Sequence, residues 1–179
     1  MINETLLLNS LEKFYDNPRN GNNLISILNN ETNISLRSVD WFITNYSKKY
    51  NTYYNIYKNE DIHTLDENYK LHSNINVFQS YKAQLRAYSK KRFDPFCRRN
   101  RIKFMCQGKE IDTTIGQLNF FRWVLENNIL EFIENNLKQI NNDMNNRNST
   151  AKKKTSKTKG KSNTRKRREE LSVAATKCI

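Results

Sequence analysis

The chain has 179 residues, with 31 lysines and arginines against 18 acids, a formal charge of +13 and a mean hydropathy of −0.90. That length suits one folded domain plus a tail, and no apolar run reaches the roughly 18 residues of a membrane span. Three scattered cysteines, Cys97, Cys106 and Cys178, argue for a reducing compartment and against a disulfide framework.

Residues 4–16 set Leu7, Leu8, Leu11, Phe14 and Tyr15 at helical spacing and predict an amphipathic first helix. Asn17-Pro18-Arg19-Asn20-Gly21 reads as a loop, followed by a short helix over 23–29 around Leu24, Ile27 and Leu28. Ser35 or Thr32 caps a stronger helix that runs to residue 49. Leu36, Val39, Phe42, Ile43 and Tyr46 are its core positions and Trp41 its edge, while Lys48 and Lys49 complement the negative end of the helix dipole and are free to join a binding face. Residues 50–76 are polar and weakly periodic, and are read as an insertion. Tyr50, Tyr53, Tyr54 and Tyr57 would stack on bases if exposed, but Glu60, Asp61, Asp66 and Glu67 would repel a nucleic acid.

The densest charge follows. Residues 80–103 hold nine basic residues, Lys82, Arg86, Lys90, Lys91, Arg92, Arg98, Arg99, Arg101 and Lys103, against the single acid Asp94. Residues 1–146 as a whole hold 19 basic and 16 acidic residues, so this stretch polarises an otherwise slightly acidic body. Phe78, Tyr81, Leu85 and Tyr88 form an apolar helical stripe, with Lys82, Arg86 and Lys90 at i, i+4 and i+8 as a basic stripe beside it. Asp94-Pro95 stops the helix, since proline has no N–H and disfavours a helical residue before it. RIKFMC (101–106) alternates, with Ile102, Phe104 and Cys106 on one face and Arg101, Lys103 and Met105 on the other, which predicts a strand with a basic outer face.

Gln107-Gly108-Lys109 turns this strand into EIDTTI, completing a β-hairpin. Thr114 and Gln117 have capping-box spacing ahead of a helix with Leu118, Phe121, Val124 and Leu125, flanked by Phe120 and Trp123 and so buried on two sides. Asn127-Asn128 breaks it, and a last helix carries Ile129, Leu130, Phe132, Ile133 and Leu137. The pair has a helix–turn–helix outline, but Glu131 and Glu134 make an acidic second helix a poor reader of DNA, so a core hairpin is the better reading. From about Asn141 apolar periodicity ends and a disordered tail is expected. Residues 147–179 hold twelve cations and two acids, and Lys152-Lys153-Lys154 with Arg165-Lys166-Arg167-Arg168 fits both a non-specific binding arm and a bipartite nuclear import signal.

Chemistry-bearing patterns are sparse. His63 and His72 with Cys97 and Cys106 match no common zinc spacing, and four glycines form neither a P-loop nor a dinucleotide fingerprint. Asp94, Glu110 and Asp112 could be drawn as the carboxylates of a metal-dependent nuclease, but they read more plainly as turn and hairpin acids. No catalytic residue, metal ligand or cofactor is therefore assigned.

Three segments, DWFITNYSKKY (40–50), QSYKAQLRAYSKKRFDPFCRRNRIKF (79–104) and TTIGQLNFFRWVLENNILEFI (113–133), resemble an uncharacterised family of the nucleocytoplasmic large DNA viruses of the mimivirus-like kind. The resemblance covers about residues 35–135 and supplies no activity. It implies a setting in the virion or the cytoplasmic viral factory, handled alongside a large DNA genome, and it weakens the nuclear-import reading of the tail.

The expectation is an α+β fold, a small mostly helical domain over residues 1–140 with one β-hairpin and a polar insertion near 50–76, followed by a disordered basic tail over 141–179. The expected function is non-enzymatic binding of nucleic acid, DNA rather than RNA, in genome packaging or viral transcription. Phosphates would be met by the nine cations of the central stretch and by the basic tail. Other virion or factory proteins are candidate partners, and no membrane is expected. The alternatives are a virion structural or adaptor protein that meets an acidic partner, and a metal-dependent enzyme acting on nucleic acid.

Overall fold

The computed structural model describes residues 4–59 and 69–157. Helix α1 (Glu4–Tyr15) buries Leu7, Leu11 and Tyr15, one position per turn. Helix α2 (Pro18–Leu28) begins where the sequence suggested a loop. Asn17 is its N-cap and accepts from the backbone N–H of Arg19 and Asn20, while Pro18 sits at the start, where its missing N–H costs nothing.

The helix predicted to reach residue 49 has that extent but not a uniform pitch. α3 (Leu36–Trp41), capped by Ser35, passes into a π-helical turn over Phe42–Tyr46 and then α4 (Ser47–Lys49). Thr44 Oγ1 and Ser47 Oγ donate to the carbonyls of Asp40 and Ile43, each at 2.7 Å, the kind of hydroxyl back-bonding that distorts a helix.

The polar 50–76 segment contains a second strand pair beside the expected hairpin. β1 (Tyr53–Asn59) and β2 (Tyr69–Asn76) pair antiparallel, with Tyr53 opposite Asn76 and a register shift between Ile56 and Tyr57. Ile56 and Ile75 are buried, and the Tyr54 hydroxyl donates to Asn127 O at 2.7 Å, so the ribbon's inner face is part of the core. Helix α5 (Val77–Arg92) follows directly, capped by the Asn76 side chain on Gln79 N.

The expected hairpin is β3 (Ile102–Cys106) with β4 (Lys109–Thr113). Its two-residue turn has positive φ at both Gln107 and Gly108, the geometry that matches the twist of the flanking strands. Gln107 Nε2 donates to the carbonyls of Tyr15 and Asp16 at the end of α1. Gly21 permits this approach, because a Cβ there would lie 2.6 Å from Gln107 Cγ.

Helix α6 (Ile115–Glu126) is the axis of the core. Leu118, Phe120, Phe121, Trp123 and Val124 are all buried, and so are its polar residues Gln117 and Asn119. Tyr15 Oη donates to Leu118 O at 2.7 Å. Asn128 turns the chain with positive φ into α7 (Ile129–Lys157).

The helix continues past Asn141, where loss of apolar periodicity suggested a disordered tail. Polar contacts replace that periodicity: Ser38 Oγ donates to Asn141 Oδ1, and Trp41 Nε1 and Lys49 Nζ donate to the Asp143 carboxylate. The chain divides into two units, Met1–Met144 and Asn145–Ile179. In the second unit residues 145–157 are helical. Among the described residues, no helix is long and apolar enough to cross a membrane.

Candidate nucleic-acid interface

The basic stretch is held by α6. Its irregular part begins at residue 93, and α6 supplies partners for backbone groups at that start. Asn119 Nδ2 donates to Arg92 O, Gln117 Nε2 donates to Pro95 O, and Asp94 N donates to Gly116 O. Gly116 makes this possible, since a Cβ there would lie 3.1 Å from Lys91 O and 3.4 Å from Phe93 N. The expected capping box is thus half formed. Thr114 Oγ1 accepts from Gln117 N, but the Gln117 side chain is committed to Pro95 O and to Thr113 Oγ1. Phe93 completes the attachment, fully buried among the rings of Tyr81, Tyr88, Phe120 and Trp123. The two most distinctive stretches of the sequence, AYSKKRFDPFCRR and QLNFFRW, pack on each other.

The nine predicted cations divide by what they touch. Arg98 forks onto Asp94 with N···O distances of 3.1 and 2.8 Å, and its guanidinium lies 4.8 Å from the Phe96 ring centre. Asp94 is only 8% exposed and also accepts from Phe96 N. The hydrogen bonds to Asp94 hold the Arg98 guanidinium even more firmly charged than usual. Asp40 lies in the same field. Burial pushes its carboxyl up, the Arg98 charge pulls it part of the way back, and Asp94 pushes it up again.

Arg92 and Lys91 pair with Glu4 of α1, at 2.9 and 3.7 Å. Lys103 bridges Glu110 and Asp112 across the hairpin, and hydrogen bonds to Asp112 and then Glu110 raise its pKa. Lys82, Arg86, Lys90, Arg99 and Arg101 are exposed and have no carboxylate partner among the described residues. The predicted nine therefore resolve into four that serve the fold's own acids and five that are open to a ligand.

The predicted stripes are redrawn as well. Ser89 has φ 58 and ψ 167, so α5 breaks there and Lys90 does not continue the line of Lys82 and Arg86. Phe78 leaves the apolar stripe. Tyr81, Leu85 and Tyr88 pack on the core, whereas Phe78 stands beside Lys82 and Lys48, whose ammonium nitrogens lie 5.8 and 5.6 Å from its ring centre. The tyrosines singled out for stacking also separate. Tyr54 is an inner-face residue, while Tyr50 and Tyr53 are exposed. Tyr57 lies on the backbone of β1, opposite Leu71. Lys152, Lys153 and Lys154 lie on the helical backbone of α7, and Arg165, Lys166, Arg167 and Arg168 lie outside the described residues. So do Glu60, Asp61, Asp66, Glu67 and His63.

The three carboxylates of the nuclease alternative do not form a set. Asp94 is engaged by Arg98, while Glu110 and Asp112 are engaged by Lys103 on the hairpin. Among the described residues, no group of three His, Cys, Asp or Glu side chains is placed to hold a metal ion. Burial raises the Cys106 thiol, the opposite of activation. What the geometry does offer is a set of exposed cations without carboxylate partners among the described residues, suited to oxyanions.

Sequence comparison agrees with the resemblance drawn from the motifs. Residues 2–177 match the model of a family of unknown function, DUF7197. The chain is similar to "Uncharacterized protein L507" of Acanthamoeba polyphaga mimivirus, 42% identical over 127 residues. That alignment covers 68% of this chain and 45% of the relative, so the chain spans less than half the length of the curated protein it matches. No solved structure matches.

Proposed function

The chain belongs to DUF7197, a family of unknown function, and we propose from the placement of its cations that it binds nucleic acid through the phosphates, using Lys82, Arg86, Lys90, Arg99 and Arg101. The observation that carries the reading is the mounting of Arg99 and Arg101. Both are exposed and have no carboxylate partner among the described residues, and they follow a segment whose start, Arg92, Asp94 and Pro95, is held by Asn119, Gly116 and Gln117 of the buried helix α6. A loop anchored at its start has less conformational entropy to lose on binding than a free segment. The concentration of like charge on residues 80–103, within an otherwise slightly acidic body, is the distribution a polyanion-binding surface needs.

The basic residues after Asn145 add sequence-independent affinity by counterion release. The chain is similar to an uncharacterised mimivirus protein, and a role beside a large DNA genome, in packaging or transcription, is part of the same proposal. The test is titration of labelled duplex and single strands with the full chain and with a chain ending at Met144, each over a range of salt. Binding with a steep salt slope that survives the truncation supports the reading. Binding that vanishes with residues 145–179 moves the function to the tail and removes it from the loop.

A further inference from the structure

We infer that Phe78, flanked by Lys48 and Lys82, is a stacking site for an unpaired base, so that the nucleic acid this surface takes is single-stranded. The inference rests on the nucleic-acid reading above and deepens it. Ammonium groups from two separate elements, α4 and α5, converge on one ring, at 5.6 and 5.8 Å from its centre. Neither lysine has a carboxylate partner among the described residues, in contrast to the neighbouring Lys49, which is bound to Asp143. Phe78 is half-buried and stands apart from the core-facing stripe of Tyr81, Leu85 and Tyr88.

The surroundings extend the same chemistry. Arg86 is exposed one helical turn beyond Lys82. Tyr53, 66% exposed, is directly opposite Asn76, the cap of α5 two residues before Phe78. Next to that pair, Asn55 and Asn74 are opposite one another with their side-chain amides hydrogen-bonded at 2.7 Å. Residues 41–56 and 73–93, which contribute the described side chains around this ring, contain no aspartate or glutamate. A phosphate drawn to the two ammonium groups brings the adjoining base to the Phe78 ring. Only a base free of its duplex neighbours can offer its face there, whereas phosphates alone would be taken from either form.

The test is fluorescence anisotropy with labelled oligothymidylate, oligouridylate and a duplex of equal length, using the full chain. Loss of one stacked base corresponds to about 1–3 kcal/mol, so Phe78→Leu is expected to weaken single-strand binding by roughly 5- to 150-fold and leave duplex binding within about twofold. Phe78→Trp restores the affinity, and single strand quenches its indole beyond the quenching seen in the wild type. Lys48→Ala with Lys82→Ala flattens the single-strand salt slope by about 0.7 per lysine. The two polymers distinguish DNA from RNA.

The inference is overturned if folded Phe78→Leu binds single strand as well as wild type does, or loses single strand and duplex equally. The ring then only anchors two lysines, a cation–π contact of structural value. Should Phe78→Leu fail to fold, Phe78→Trp decides alone, and absence of extra quenching overturns the inference. Wild-type binding to duplex with no preference for single strands defeats this inference and leaves the phosphate reading intact. No binding to any of the three defeats both.

Discussion

Removing Arg98 should harm the fold, while removing Arg99 and Arg101 should harm only binding, although the three are near neighbours in a single basic run. Arg98 makes two charge-assisted hydrogen bonds to Asp94, a class that contributes about 1.5–3 kcal/mol when intact. The Arg98 side chain is 65% exposed, so solvent screens much of that. The Asp94 side chain is only 11% exposed, and after Arg98→Ala it keeps the hydrogen bond from Phe96 N. The expected loss is therefore about 1–2 kcal/mol, below the 3–5 of a fully buried broken pair, and a fall of several degrees in Tm. Asp94→Asn added to Arg98→Ala should recover part of it, because the uncompensated charge is then gone. Arg99→Ala with Arg101→Ala should stay within about 0.5 kcal/mol of wild type and flatten the duplex salt slope by about one unit per lost contact. Thermal melts and salt-dependent anisotropy on the same proteins give both quantities. An Arg98→Ala protein as stable as wild type would show the fork to be an ordinary surface pair. Unchanged binding in the Arg99/Arg101 double variant at every salt concentration would refute the phosphate role of the loop.

Three further outcomes are expected. Phe104→Ala should destabilise by about 3–5 kcal/mol, because the ring is buried against Tyr15, and the folded fraction should bind normally; denaturant melts read the first and anisotropy the second. Gly116→Ala should cost about 1–3 kcal/mol by pressing a Cβ on the backbone of residues 91–93, and amide exchange of that segment should rise. Asp40→Asn should stabilise the protein near neutral pH. The folded state holds the Asp40 proton more tightly than the unfolded state does, so ionised Asp40 costs stability above its raised folded pKa. The difference between variant and wild type should shrink as pH falls through that pKa toward about 4, the ordinary carboxylate value. A difference that stays constant with pH would show that Asp40 is not the group responsible.

Local patterns in the sequence were enough to determine the helices built on apolar periodicity, the β3–β4 hairpin, the central burial of α6 and the concentration of charge at residues 80–103. Each depends on residues within a turn or two of one another, or on composition. The β1–β2 ribbon was hidden because its inner and outer positions differ as tyrosine and isoleucine differ from tyrosine and asparagine, a weak contrast that becomes clear only with Ile56 and Ile75 buried together. The course of α7 past Asn141 was hidden for a related reason. Its anchors, Asn141 and Asp143, are polar, and their partners Ser38, Trp41 and Lys49 lie about a hundred positions away. The same holds for the site. Composition marks nine cations, but which are open depends on where Glu4, Asp94, Glu110 and Asp112 come to rest in the fold. The pairing of Lys48 with Lys82 around Phe78 likewise exists only because α4 and α5 meet. Charge is a property of the chain, whereas its availability depends on long-range packing, which brings some cations to acids and leaves others exposed to solvent.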